Sequence, residues 1–396
     1  MIWNIIYVID LLLWIIMAGS VLYVCFFAFI SLFYKGERRE RRGEKDTTFL
    51  ILYPAYHEDA VIIHSVKQFL LSDYPKDKYH LTVISDHMTD ETNKQLAALP
   101  ITLLLPSFEK SSKAKALQYA IDLVVKEKDA YDYVVILDAD NVVLPDFLNK
   151  LAASCAKGYK AIQCHRCAKN ADNNIAVLDG VSEEINNTLF RRAHNVIGMS
   201  SALIGSGMCF DYNWFRQHVG FLNSAVEDRE LETMLMKESI FVKFENDIPV
   251  FDEKVSNSEN FQRQRLRWMT GQVQSLLQML PYIPKAIMTG NVNYIDKTIQ
   301  QALIPRSMLL VIIAFFCLTS TLISFLILHS SFFTFKWWGL FVLLCLSLYI
   351  AMPSSLRNRT VFTKIVTLPR LVWHMLTNLF RINHKDKDFI HTTHNK

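Results

Sequence analysis

The sequence is poor in charge for its length. Charged residues make up 20% of the 396 residues, and the net charge is only +4. A nucleic-acid-binding domain carries a dense basic surface, so no nucleic-acid partner is expected. Hydrophobic residues reach 51%, which is high for a soluble protein, whereas a chain made only of membrane helices would carry fewer charges. The composition therefore indicates one soluble domain joined to a few membrane segments.

Cysteine pairs that would indicate a zinc site are also scarce. Of the seven cysteines, only Cys164 and Cys167 lie close together. A site with four ligands needs a second Cys/His pair at a suitable spacing, and none follows. We interpret the two residues as reduced thiols at the end of a strand, and a metal or redox role for the pair is the alternative.

The N-terminal apolar run, residues 11–33, is long enough to cross a bilayer, which takes about 20 residues. It lacks the basic start and the cleavage site of a signal peptide, so we expect it to be retained. Basic residues crowd positions 35–45, and such residues stay in the cytosol. The pattern predicts a transmembrane helix over residues 1–34, with the N-terminus outside and the following domain inside.

Two further apolar runs predict transmembrane helices over residues 307–328 and 337–352. Residues 361–382 mix apolar and basic side chains, which favours a helix lying in the membrane interface. Residues 285–306 then form an interfacial connector, and residues 383–396 form a cytosolic tail. We expect a multi-pass protein of the cell (inner) membrane, in contact with membrane lipid, with its large domain in the cytosol.

Residues 35–284 form the predicted cytosolic domain. The patterns predict strands over residues 48–53, 80–85, 101–105, 133–137 and 160–163, and helices over 59–71, 89–99, 112–126 and 146–157. This alternation predicts an α/β fold with a Rossmann-like, mostly parallel sheet and helices on both faces. Such a sheet binds ligands beyond the carboxyl ends of its strands. The first strand is not followed by the glycine-rich turn of a dinucleotide-binding or P-loop fold.

Acidic residues follow two of the predicted strands. Asp86 ends the second strand and is placed to accept hydrogen bonds from a base or ribose, whereas Asp90 is expected to cap the next helix. The fourth strand ends in Asp138 and Asp140. Two carboxylates at the mouth of a buried strand need a compensating charge, and their hard oxygens suit Mg²⁺ or Mn²⁺. Lys113 opens an upstream helix and is either a phosphate ligand or a solvated lysine.

Two later segments also carry chemistry. The small residues of segment 205–208 allow a close approach of backbone to a ligand. Glu227 and Asp228 open another predicted helix, where a carboxylate is either a general base or a stabiliser of the helix N-terminus.

The basic segment 262–268 places Gln264, Arg267, Trp268 and Gly271 on one helix face, at spacings of three, four and seven residues. This face offers a guanidinium for phosphate and an indole ring for a sugar. The alternative is a basic helix that rests on anionic lipid.

In this order, the segments resemble the processive-type branch of the family-2 glycosyltransferases, which includes cellulose, hyaluronan and poly-N-acetylglucosamine synthases. The resemblance implies a GT-A fold, an inverting transfer from a nucleotide-sugar, and Mg²⁺ or Mn²⁺ as cofactor. It implies the following residues: Pro54, Tyr56, Glu58, Asp86, Lys113 and Asp138 for the donor; Asp140 and Asp138 for the metal; Gly205, Ser206, Gly207, Met208, Gln264 and Trp268 for the acceptor; Asp228, Glu227 and Arg267 for catalysis.

By the same resemblance, Asp228 would take the proton of the attacking hydroxyl and Arg267 would steady the diphosphate. The sequence departs from the family pattern at His57 and His87, where Asn or Gly is more usual, so the nucleotide preference stays open. Lys115 and Gln118 replace a usual Gly and Asn beside the predicted donor lysine.

We therefore predict a glycosyltransferase that moves a sugar from a nucleotide-sugar, a UDP-sugar, to a hydroxyl of a lipid-linked or growing glycan acceptor. The first alternative is a processive polysaccharide synthase whose export channel comes from self-association or from a partner. The second is a membrane-tethered component that binds or transports nucleotide-sugars without transferase activity. A sugar nucleotidyltransferase would carry a glycine-rich, arginine-containing loop after the first strand, and this sequence has none.

Overall fold

The structure is a computed structural model of the chain. It describes residues 2–36, 46–124, 130–170, 173–224, 226–254, 258–328 and 331–367, together with residues 369, 372, 373 and 377.

A sheet of eight strands forms the centre of the domain. The strands are β1 (Phe49–Tyr56), β2 (Tyr79–Asp86), β3 (Thr102–Leu104), β4 (Tyr133–Ile136), β5 (Val142–Val143), β6 (Ala161–Ala168), β7 (Met208–Asp211) and β8 (Val242–Asp252). Their order is β3-β2-β1-β4-β7-β6-β8-β5. The first four pair in parallel, whereas β7 runs antiparallel to both of its neighbours. The predicted α/β class with a mostly parallel sheet is confirmed. Because β1, β2 and β4 are parallel, their carboxyl ends lie on the same side of the sheet.

Helices flank the sheet and continue into the membrane-type segments. They are α1 (Ile2–Ser31), α2 (Ile62–Phe69), α3 (Asp90–Ala97), α4 (Lys113–Val124), α5 (Phe147–Cys155), α6 (Asn174–Asn186), α7 (Ala193–Val196), α8 (Tyr212–His218), α9 (Glu227–Lys237), α10 (Ser258–Met279), α11 (Ile283–Met288), α12 (Val292–Ala302), α13 (Arg306–Ile323), α14 (Ser331–Ala351) and α15 (Arg359–Lys364). A π-helical segment, Asn187–Arg192, joins α6 to α7, and another, Ser324–Leu328, extends α13.

The central strands are apolar on both faces because helices cover both faces. On one side, Phe49, Ile51 and Tyr53 of β1 pack with α2 and α5. On the other side, Leu50 and Leu52 pack with α4, α8 and α9. A strand that is buried on both sides reads as a continuous apolar run, as is typical of parallel sheets.

The predicted cap of α3 is wrong by one residue. Thr89, and not Asp90, is the N-cap: the Thr89 hydroxyl oxygen accepts a hydrogen bond from the Thr92 backbone N–H at 3.3 Å. Asp59 accepts hydrogen bonds from both the backbone N–H and the hydroxyl of Thr89. These bonds fix Thr89 in the capping position, and Asp90 becomes the first residue of the helix.

Among the described residues, three helices are long and apolar enough to cross a membrane, over Ile5–Ser31, Arg306–Leu326 and Thr334–Ala351. They coincide with the spans predicted at residues 1–34, 307–328 and 337–352. Large apolar side chains such as Phe26, Phe315 and Leu318 point away from the protein, as expected of surfaces that face lipid.

The remaining predicted segments are only partly described. The connector predicted over residues 285–306 contains the end of α11 and the whole of α12. The interfacial helix predicted over residues 361–382 begins within α15, and about half of its residues lie outside the described ones. The tail, residues 383–396, and most of the basic cluster that follows the first span also lie outside them.

The first membrane-type helix is joined to the domain by hydrogen bonds. The Tyr23 hydroxyl of α1 lies 2.6 Å from Oδ1 of Asp296 in α12 and 3.0 Å from Nε2 of His194 in α7. The Phe27 ring stacks on the imidazole of His194, with the ring centroids 3.7 Å apart. Residues 23–28 of α1 thus pack against the domain rather than only against other membrane helices.

Candidate active site

A cavity of about 440 Å³ lies at the carboxyl ends of β1, β2 and β4 and extends to α1 and α13. We name its two ends by the residues that line them. The carboxylate end is lined by Asp138, Asp140, Glu227 and Asp228; the membrane end is lined by Ser20, Val24, Phe190, Ile304 and Arg306.

Asp138 and Asp140 follow β4, and hydrogen bonds hold both in place. The Asn141 side chain accepts from the Asp138 backbone N–H at 2.9 Å and donates to Asp140 Oδ1 at 3.0 Å. Asp140 Oδ2 also accepts from the backbone N–H of Glu253 at 2.7 Å. Asp140 is buried, and Asp138 is half-buried. The strand end thus presents both carboxylates to the cavity, as the sequence predicts.

Lys113 connects three of the sequence motifs. Its ammonium lies 2.6 Å from Asp138 and 3.1 Å from Glu227, and it donates to the backbone carbonyl of Gly205. Burial alone would lower the pKa of Lys113, but the two carboxylates outweigh burial and raise this pKa above its ordinary value. Only 15% of the side chain is exposed, so Lys113 is not a solvated surface lysine.

Glu227 and Asp228 are the first two residues of α9. Burial raises the pKa of Glu227; the Lys113 ammonium opposes this, and the neighbouring Asp228 adds to it. Gly205 has a φ of +71° and lies so close that a Cβ there would be 3.6 Å from Oδ2 of Asp228. The left-handed backbone at Gly205 favours glycine. Asp228 lines the cavity, where it can accept a proton from a bound hydroxyl.

A close helix contact places α10 against the start of α9. A Cβ on Gly271 would be 2.4 Å from Cγ1 of Val226, the residue before Glu227. No side chain fits at that distance in a packed interior. Gly271 therefore sets the spacing between the carboxylates of α9 and the helix face that carries Arg267 and Trp268.

The α10 face predicted from the sequence lines the cavity with Gln264, Arg267 and Trp268. Burial lowers the pKa of Arg267, against the opposing effect of Glu227 and Asp138. The Oε1 atom of Gln264 is buried and accepts no hydrogen bond from the described residues. A buried amide oxygen is stable when it meets a donor, and a ligand hydroxyl in the cavity would supply one.

Four predicted donor residues line the cavity on the side of β1 and β2: Pro54, Tyr56, Glu58 and Asp86. Asp86 is buried at the end of β2 and lies 2.6 Å from Nδ1 of His87. His57 and His87 have φ values of +53° and +56°, which are uncommon without glycine. Each turns the chain sharply after its strand, and the two imidazoles lie 5.7 Å apart, centroid to centroid.

Only one residue of the segment 205–208 reaches the cavity. Gly205 lines it, whereas Ser206 and Met208 are fully buried. Ser206 donates to Asn141, and Met208 lies in the core on β7. A Cβ on Gly207 would be 3.1 Å from Cγ2 of Val250 and 3.3 Å from Cβ of Cys164. The segment therefore holds Gly205 in position, and the structure does not bring Ser206, Gly207 or Met208 to an acceptor.

Sequence reasoning missed a buried group of charges beside the carboxylate end, which we call the arginine cluster. It consists of Arg166, Arg191, Lys254, Glu183 and Asp252. Arg166 Nε lies 2.9 Å from Asp252, and Arg191 lies 3.0 Å from Glu183. Burial raises the pKa of Glu183, but Arg166 and Arg191 hold it down at about 2. The signal for Arg166 was its place just past a predicted strand end.

Asp138 and Asp140 suit a divalent metal by their chemistry. Mg²⁺ is usually held by one or two carboxylates, with water and substrate phosphates in the other positions. At the carboxylate end, the four carboxylates outnumber the cations that act on Asp138, which are Lys113, Arg166 and Arg267, so an added cation would be favourable there.

A different group of possible ligands, His165, Cys167 and Glu184, lies outside the residues that line the cavity. There the carboxylate of Glu184 already lies 3.0 Å from Nε2 of His165. Cys164 is buried in the core, and neither Cys164 nor Cys167 forms a disulfide.

Two family models match the sequence. The model described as glycosyl transferase family group 2 matches residues 133–381, and the one described as glycosyl transferase family 2 matches residues 50–215. The chain belongs to glycosyltransferase family 2. This glycosyltransferase is therefore an enzyme that uses a nucleotide-sugar, and the predicted family is confirmed. The narrower synthase branch stays a prediction.

Solved structures resemble the glycosyltransferase in fold. The mannosyltransferase PcManGT from Pyrobaculum calidifontis, in complex with GDP-Man and Mn²⁺, is 16% identical; the match covers 93% of this chain and 100% of that chain, with a TM-score of 0.51. S. aureus TarS 1–349, in complex with UDP-GlcNAc, is 11% identical over 86% of this chain and 93% of that chain, with a TM-score of 0.41. No curated protein sequence matches the chain.

Proposed function

We propose that this enzyme transfers a sugar, with inversion and with a divalent metal, from a UDP-sugar to a hydroxyl of a lipid-linked acceptor at the cytosolic face of the membrane. The observation that carries the proposal is a single cavity that joins the two-aspartate strand end to the start of a membrane helix. Asp138, Lys113 and Glu227 make contact within it.

The residues divide the reaction between them. Asp228 takes the proton of the attacking hydroxyl while the oxygen forms a bond to the anomeric carbon and the bond from that carbon to the diphosphate breaks. Arg267 steadies the departing diphosphate. A metal bound at Asp138 and Asp140 would neutralise the charge of the leaving group. Attack from the side opposite the diphosphate inverts the anomeric centre.

The membrane helices favour a lipid-linked acceptor over export of a long polymer. A polar glycan needs a protein-lined path through the bilayer, because its hydroxyls would otherwise lose water without replacement. The three candidate spans found in the described part of the chain are too few to enclose such a path. Asp10, an acidic residue of α1, is already engaged by Lys336 and by the indole N–H of Trp337, at 2.9 Å.

Release of UDP by the purified protein tests the enzymatic proposal. A screen of UDP-sugars and GDP-sugars should identify a donor whose turnover stops with EDTA and returns with Mn²⁺ or Mg²⁺. Full turnover in excess chelator would refute the metal. Release of GDP alone would replace the proposed nucleotide.

Sealed vesicles distinguish the two acceptor proposals. With donor outside and no other protein, we expect one or a few sugars to be added to a lipid. Long polymer protected inside the vesicles would instead support a processive synthase that forms its channel by self-association.

The proposed orientation rests on the basic residues after the first span. In intact cells, cysteines placed in the central domain should not react with an impermeant thiol reagent. Reaction from outside would reverse the proposed orientation.

A further inference from the structure

The membrane end of the cavity is lined in part by two candidate membrane helices, α1 and α13. Ser20 and Val24 come from α1, whereas Ile304 and Arg306 come from the start of α13. The backbone N–H of Ile304 lies 3.5 Å from the Ser20 hydroxyl, which ties the two helices together. Both helices are candidate membrane spans. The cavity therefore reaches the start of α13, where this candidate membrane span begins.

Arg306 brings a positive charge to this end without a carboxylate partner among the described residues. Its hydrogen bonds to the described residues all come from Nη2 and go to neutral oxygens: the carbonyl and hydroxyl of Ser182, and Oδ1 of Asn186 at 2.7 Å. Its guanidinium lies 5.9 Å from the centre of the Phe190 ring. A half-buried guanidinium of this kind is well placed to bind an anion.

The carboxylate that acts on Arg306 is already paired with another cation. The charged neighbours of Arg306 are Glu183, Arg191 and Arg265. Glu183 pairs with Arg191 at 3.0 Å and lies 3.9 Å from Lys254, while Arg265 pairs with Asp179. Arg306 therefore shares the charge of Glu183 with other cations and has no ion pair of its own among the described residues.

The walls beside Arg306 are apolar. Val24, Phe190 and Ile304 line the cavity there. An anion that is bound at this place would have hydrocarbon surface beside it. A free sugar phosphate has no apolar part to bury against such walls, whereas a phosphorylated lipid does.

We propose that the membrane end binds the phosphate of a lipid phosphate that carries the acceptor, with Arg306 as its cation and α1 and α13 beside its chain. This inference rests on the proposed transferase function, because Asp228 must receive the proton of a hydroxyl. The phosphate is then not the nucleophile. One acceptor molecule presents a sugar hydroxyl to Asp228 and, farther along, a phosphate to Arg306.

Binding of farnesyl phosphate to the full-length protein in detergent tests the inference without knowledge of the sugar. Farnesol, which has the same chain and no phosphate, and inorganic phosphate, which has no chain, are the matched ligands. We expect farnesyl phosphate to bind at least about tenfold more tightly than either. If farnesol or inorganic phosphate bound the wild-type protein as tightly as farnesyl phosphate, the inference would be overturned, and no variant would be needed for that conclusion.

Two variants assign the effect to one residue. Arg306→Gln should remove the advantage of farnesyl phosphate over farnesol, and Arg306→Lys should keep most of it. Arg359→Gln is the control, because Arg359 is exposed at the start of α15 and lies outside the cavity. Loss of the advantage in Arg359→Gln to the same extent would show non-specific attraction and refute the site.

Nucleotide binding separates this inference from the proposed function. UDP with Mn²⁺ should bind the wild type and Arg306→Gln equally. If UDP binds but farnesyl phosphate shows no advantage, the lipid-phosphate site is wrong and the transferase proposal stands. If neither UDP nor GDP binds with Mn²⁺, the proposed function itself fails.

Discussion

The carboxylate end of the cavity and the arginine cluster beside it carry opposite net charge. At the carboxylate end, Asp138, Asp140, Glu227 and Asp228 outnumber the cations that reach them. In the arginine cluster, the cations share Glu183 and Asp252, and Arg306 adds a charge that no carboxylate in the described residues pairs. Anionic ligands would therefore be bound differently at the carboxylate end and near Arg306. A diphosphate at the carboxylate end needs an added cation, whereas an anion near Arg306 meets a cation fixed in the protein.

Among the variants that we consider, removal of a carboxylate from the carboxylate end should reduce transfer the most. We expect Asp140→Ala to abolish transfer, because the carboxylate end would lose a metal ligand and one of its negative charges. Turnover measured across a range of Mn²⁺ concentrations checks this. Asp146→Ala is the control, because Asp146 pairs with Lys150 outside the cavity. Normal turnover of Asp140→Ala at low Mn²⁺ would contradict the assignment.

Asp228→Asn tests whether Asp228 accepts the proton, because asparagine has nearly the same size as aspartate but does not act as a base. We expect transfer to fall by about 10²–10⁴-fold, which is typical for loss of a general base. Binding of the nucleotide-sugar, measured by titration, should be unchanged. If donor binding collapses together with turnover, Asp228 belongs to the donor site or to the structure of α9.

Gly271→Ala tests the spacing between α10 and α9. The added methyl would overlap Val226, and overpacking of this kind costs about 1–3 kcal/mol. We expect a lower thermal stability and a loss of turnover, because Glu227 and Asp228 shift away from Arg267. Gly339→Ala is the matched control, since a Cβ at that helical glycine would meet nothing within 4 Å. Equal stability of the two variants would show that Val226 moves aside freely.

The smallest effect is expected at Gln264. Gln264→Leu removes a buried oxygen that accepts no hydrogen bond from the described residues, so stability should hardly change. If the amide binds an acceptor hydroxyl, the KM for the acceptor should rise by about fivefold, the equivalent of one hydrogen bond. An unchanged KM would place the acceptor elsewhere along the cavity.

The first half of the fold is predictable from the sequence because its elements are local. The strands β1, β2 and β4 are short apolar runs, and α2 and α5 each bury an apolar face. Strand β8 is harder to predict, because it contains Asn246, Asp247 and Pro249, and its pairing with β6 is irregular between Cys164 and His165. Such polar residues and proline disfavour strands when they are judged locally.

The carboxylates of the site are predictable for a similar reason. Asp86, Asp138 and Asp140 follow strands whose ends the sequence marks clearly. The arginine cluster is not predictable, because Arg166, Glu183 and Asp252 are far apart in the chain and meet only when β6, α6 and β8 pack together. From the sequence alone, a single charged residue is expected to lie on the solvent-exposed surface. Only the structure shows that these residues are buried.

The contact of Tyr23 with His194 and Asp296 bears on how the active site is positioned relative to α1. It lies eight residues before the end of α1, or about 12 Å along the helix axis. The domain therefore contacts the side of this candidate membrane helix and is not joined to it only through the chain that follows. For the membrane-held acceptor that we propose, we expect transfer only when its hydroxyl projects to the level of Asp228. Acceptors of different length should then be distinguished by how far they rise from the lipid.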